Sequence, residues 1–178
     1  MRAAWRLGRV TVAFWLGLAL AVTIGLLVGG TVAGPLGAIL GAASLGLVVG
    51  LGEARDVPVR GALWVVLTGC AAAVAWLAGS ACGFALYRLG FPALGIAAHG
   101  PVSGVLLAAG QASLLGRAGG LRWFVVGAAG WGCTLGLLLI PDLPMLARFA
   151  ALLIPGLATL LQRPVRGASA NAHGLSNA

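Results

Sequence analysis

Three polar side chains able to carry chemistry stand inside long apolar runs: His99, Ser103 and Gln111. Ser103 follows His99 by four residues and shares its helix face, whereas Gln111 lies about 120° around and about 18 Å further along a helix. His99 and Gln111 therefore do not form one site unaided. An imidazole can take up a proton or ligate a metal. An amide or hydroxyl inside a membrane can line a solute path or bond a neighbouring helix, at about 0.6 to 2 kcal/mol of association. Pro101, two residues after His99, frees a backbone carbonyl and bends the helix. The plain structural reading is that His99 bonds a neighbouring helix or interfacial water, and Gln111 a backbone carbonyl.

Other equipment for chemistry is missing from the sequence. No G-x-S-x-G, H-E-x-x-H or C-x-x-C pattern occurs, and no carboxylate within the apolar runs could orient His99. The expected catalytic, cofactor-binding and metal-binding sets are therefore empty, and no cofactor is expected. No Asp, Glu, Lys or Arg sits at mid-depth in an apolar run, which disfavours a proton-coupled pump. Cys70, Cys82 and Cys133 fall inside apolar segments. The first two are about 18 Å apart on one helix, so they cannot pair and read as small buried hydrophobes.

These residues must be held by membrane-spanning helices. The chain of 178 residues is 61% hydrophobic and 8% charged, with a mean hydropathy of +1.07, so it cannot clothe a soluble surface. Its eleven basic residues are all Arg, and with only Glu53, Asp56 and Asp142 on the acidic side the net charge is +8. The arginines punctuate apolar runs instead of clustering with aromatics, which excludes nucleic acid as a partner.

The charge-free stretch from Val10 to about Leu51 holds two spans with a turn near Gly29 to Pro35, the first an uncleaved helix and not a signal peptide. Glu53 to Arg60 (EARDVPVR) forms a mixed-sign loop broken by Pro58, most simply solvated, or else an anchor for a cytoplasmic partner or lipid headgroups. The third span runs from near Gly61 to about Phe84, and the fourth from about Ala93 to Leu115. The fifth covers Trp123 to Ile140, and the sixth about Met145 to Leu161. Residues 1–162 thus form one transmembrane domain. The segment 163–178, small and polar and including His173, is expected to be a disordered cytoplasmic tail. Trp5, Trp64 and Trp123 are placed at or near the cytoplasmic interface, and Trp15, Trp76 and Trp131 between helices.

Six spans put Arg2, Arg6, Arg9, Arg55, Arg60, Arg117, Arg122, Arg163 and Arg166 on one side, and only Arg88 and Arg148 on the other. That asymmetry places both termini in the cytoplasm. Thirty glycines form G-x-x-x-G pairs that include Gly46/Gly50, Gly79/Gly83, Gly100/Gly104 and Gly132/Gly136, consistent with close helix packing and with partner or self-association through Gly-rich faces. A two-helix unit recurs, spans two and three matching spans four and five. Gly37 then pairs with Gly104, Gly41 with Ala108, Ser44 with Gln111 and Trp64 with Trp123. Both copies run the same way across the membrane.

Gln111, Leu115 and Arg117, then Arg122-Trp123 and Gly130-Trp131 about one helix later, resemble a loose group of bacterial multi-pass membrane proteins built from repeated Gly-rich helical hairpins. The resemblance spans roughly Gly34 to Arg166. In the first unit Ser44 stands for the Gln, and the Gly-Trp pair is absent. The group has no known activity, so the resemblance implies no functional residue. The expectation is an all-α, polytopic six-span bundle in a bacterial plasma membrane, in contact with the lipid bilayer and acting as a non-catalytic structural or accessory component. The alternative is a small permease or channel, which requires a water-accessible cavity near His99, Ser103 and Gln111.

Overall fold

The computed structural model describes residues 34–55, 57–138, 140, 142, 144–151 and 153–161, together with 5, 8, 9, 11–13, 15–17, 19–21, 23 and 24. The expected tail lies outside the described residues, as does Asp56. Among those described, the elements are all helical. An N-terminal apolar helix α1 (Thr11–Ala21) precedes α2 (Gly34–Glu53), α3 (Gly61–Arg88), α4 (Pro92–Ala112), α5 (Gly116–Leu138), α6 (Met145–Ala151) and α7 (Ile154–Leu161).

Three helices are long and apolar enough to cross a membrane: Pro35–Glu53, Gly61–Arg88 and Pro92–Ala112. The 28 residues of α3 rise about 42 Å, more than the hydrocarbon core of about 30 Å. Only 28 to 39% of the most apolar window in each of these helices is buried, and Leu63, Val66, Val74, Leu77 and Phe84 of α3 are exposed. Polar side chains meanwhile occupy the interior. This inversion of the soluble pattern is what a hydrocarbon solvent selects.

Element boundaries depart from the sequence expectation where polar residues or prolines were read too simply. The last residue of α2 is Glu53, so the loop begins after it. The fifth helix starts at Gly116, seven residues before Trp123, which puts Arg117 and Arg122 on the helix. The sixth expected span is two short helices, α6 and α7. Pro155 in the first turn of α7 has no N–H to continue the ladder from α6.

Successive helices pack in chain order, α2 on α3, α3 on α4 and α4 on α5, and α5 in turn carries α6 and α7. Glycine sets the closeness of the α4–α5 pair. A methyl group on Gly104 would stand 2.9 Å from the Ala128 carbonyl oxygen and press on the Gly132 backbone nitrogen, while one on Gly100 would press on Gly136. The Gly100/Gly104 and Gly132/Gly136 pairs thus face each other, backbone to backbone. The connections use Gly90 and Gly116 at φ of 89° and 68°, a region that only glycine enters without strain.

Candidate functional site

Among the described residues, two clusters of buried polar side chains involve the residues singled out in the sequence. The first lies where α2 and α4 end and α3 and α5 begin. Glu53 is 2% exposed, Trp64 0% and Gln111 1%. Trp64 Nε1 donates to Glu53 Oε2 at 3.2 Å, and Gln111 Nε2 donates to the same oxygen at 2.9 Å. Gln111 Nε2 also faces Thr68 Oγ1 at 3.4 Å, and Gln111 Oε1 accepts from Trp123 Nε1 at 3.1 Å.

The amide orientation follows from the chemistry of its neighbours. A carboxylate offers only acceptors and an indole N–H only a donor, so Gln111 must turn Nε2 to Glu53 and Oε1 to Trp123. The two indoles meet edge to face, ring centroids 4.9 Å apart at 84°, a favoured aromatic geometry. Val57 and Val59 of the α2–α3 connection and Leu114 and Leu115 of the α4–α5 connection pack on this pair, so apolar side chains cover the polar cluster. A carboxylate at a helix C-terminus faces the negative end of the macrodipole. The two N–H donors offset that.

This arrangement corrects several sequence readings. Glu53 is not a solvated loop residue but the acceptor at the centre of the cluster. Trp64 and Trp123 are buried within the protein and donate hydrogen bonds there, whereas Trp5 is exposed. Gln111 bonds side chains of three other residues, not a backbone carbonyl. Ser44, expected to correspond to Gln111, instead bonds Leu40 O in its own helix at 2.8 Å. Each hairpin has an acceptor at the end of its first helix and an indole donor 11 or 12 residues later. Cys70 and Cys133, expected to be buried, are exposed, and Cys82 is partly buried. All three are free thiols.

The second place is the α3–α4 contact, where His99 and Ser103 sit together. Ser103 Oγ donates to Ala75 O at 3.0 Å, and the His99 ring meets Trp76 edge-on at 4.6 Å between centroids. The imidazole Nδ1 lies against Gly79. His99 Nε2 is buried without a protein partner among the described residues. Gln111 belongs to the other cluster, two to three helical turns away. Among the described residues no group of three or more His, Cys, Asp or Glu could hold a metal ion.

An apolar cavity of about 300 Å³ runs beside both places, lined chiefly by Ala, Gly, Leu and Val with Trp76 and Trp131. Its two hydroxyl-bearing residues, Thr68 and Ser103, are engaged with Gln111 and Ala75. Water would find few partners there. The lining of this cavity suits contact with hydrocarbon. The chain matches no family model, and neither the curated proteins nor the solved structures include a significant match.

Proposed function

We propose that this chain is a non-catalytic structural or accessory component of a bacterial plasma membrane, a six-span bundle with both termini in the cytoplasm. The observation that carries this reading is the buried hydrogen-bond set that joins Glu53, Trp64, Gln111 and Trp123 across four helices. Its polar groups are directed at one another and covered by Val57, Val59, Leu114 and Leu115, as in a lock between helices rather than a solute path. The apolar lining of the cavity beside Ser103 counts against a permease. The matched acceptor and indole in two successive hairpins support a duplicated hairpin, with Glu53 equivalent to Gln111. The nine-to-two division of arginines supports the orientation.

Thiol labelling tests the role. With Cys70, Cys82 and Cys133 replaced by alanine, a Ser103→Cys chain in intact cells should resist a membrane-impermeant maleimide. Ready labelling would overturn the accessory reading in favour of a permease. Reporter fusions test the topology: after Gly120 and after Gln162 they should report cytoplasm, and near Gly90 the exterior. A reversal at any of the three would sink the six-span arrangement.

A further inference from the structure

The apolar cavity has dimensions that select its occupant. Along α2 its wall runs from Ala38 to Val49, about 16 Å at 1.5 Å per residue. Spread over that length, a volume of about 300 Å³ has a mean cross-section of about 18 Å². An α-helix about 10 Å across needs about 80 Å², so neither a partner's helix nor one from a second copy enters. A single hydrocarbon chain with neighbours at about 4 Å needs about 16 Å². The facing walls, Leu107 of α4 with Trp131 and Leu135 of α5, are apolar. Of its two hydroxyl-bearing residues, Ser103 donates to the Ala75 carbonyl and Thr68 faces Gln111, which leaves a polar headgroup or a water file few groups to bond. The cavity is partly open, and for a membrane-embedded chain the liquid at that opening is lipid tail.

We propose that the cavity is an acyl-chain site, holding one tail of a membrane phospholipid between α2 and α5 and so completing the packing of the bundle. The inference is independent of whether the protein serves as an accessory subunit.

Photo-crosslinking decides it. The full chain is placed in nanodiscs of a phosphatidylcholine carrying a diazirine midway along one acyl chain, irradiated, and mapped by peptide mass spectrometry. Adducts are expected on the buried Leu107 and Trp131 as well as on exposed Val66 and Val74. Ala42→Leu, which fills the cavity from α2, should abolish the adducts at Leu107 and Trp131 and spare those at Val66 and Val74. Adducts confined to the exposed residues in the unaltered chain would overturn the proposal. So would undiminished labelling of Leu107 and Trp131 in the filled variant. Should Ala42→Leu fail to fold, Ala38→Leu fills the same wall, and the adduct map of the unaltered chain decides by itself.

Discussion

Replacing Gln111 by leucine roughly keeps the volume of the side chain and removes every hydrogen bond it makes. Glu53 Oε2 loses the 2.9 Å donor and Trp123 Nε1 loses its 3.1 Å acceptor. The 3.4 Å approach to Thr68 is long and contributes least. Interhelical hydrogen bonds in membranes average about 0.6 kcal/mol and reach about 1.7, because the separated helices also find partners. Two well-formed bonds between fully buried groups belong near the upper end. The expected loss is about 2 to 3 kcal/mol, or roughly 4 to 12 °C in midpoint for a chain of this size. Thermal unfolding in detergent micelles, followed by tryptophan fluorescence and circular dichroism, measures it. Trp123→Phe removes the donor of the same bond, so the double variant should show a coupling of about 1 kcal/mol. Glu53→Gln keeps an acceptor for Trp64 and should cost under about 1 kcal/mol. A Gln111→Leu chain within about 0.5 kcal/mol of the parent, with Trp123→Phe strictly additive, would refute the cluster as an energetic lock.

Gly104→Ala drives a methyl group against the Gly132 backbone, and overpacking of this kind should cost about 1 to 3 kcal/mol in the same unfolding assay. A stability equal to that of the parent would mean that α4 and α5 are not in backbone contact. Thr134→Val removes a hydroxyl that bonds Gly130 O at 2.8 Å and Ala151 O at 3.2 Å, with an expected loss of about 0.5 to 1 kcal/mol. No loss would argue that α6 does not rest on α5. Cys70 and Cys133, exposed on largely apolar helices, should react with a lipid-soluble maleimide in intact membranes and resist a charged one. Equal reaction with both reagents would place those faces in water.

Membrane embedding and helical class were legible in composition alone, because a chain with so few charges cannot cover a soluble surface. Several punctuation marks were legible too. Pro58 and Gly90 stand in connections, and the Gly100/Gly104 and Gly132/Gly136 spacings do mark a close helix contact. Rotational facing was not legible. Helices α2 and α3 are apolar on every side, so no amphipathic stripe in the sequence says which residues turn inward. Glu53 therefore read as part of a charged loop, since a carboxylate beside Arg55 and Pro58 is ordinarily solvated.

Only the tertiary structure, by bringing the ends of α2 and α4 beside the starts of α3 and α5, gave Glu53 a partner 58 positions away in Gln111. His99 and Ser103 show the complementary case. Their shared helix face was readable from a spacing of four, but what that face meets, Trp76 and the Ala75 carbonyl, depends on how α3 is rotated against α4. Local spacing determines which residues travel together on one helix. Which residues they meet is decided by the axial register and rotation of whole helices, set by the summed packing of glycines and side chains along each contact and written in no single motif.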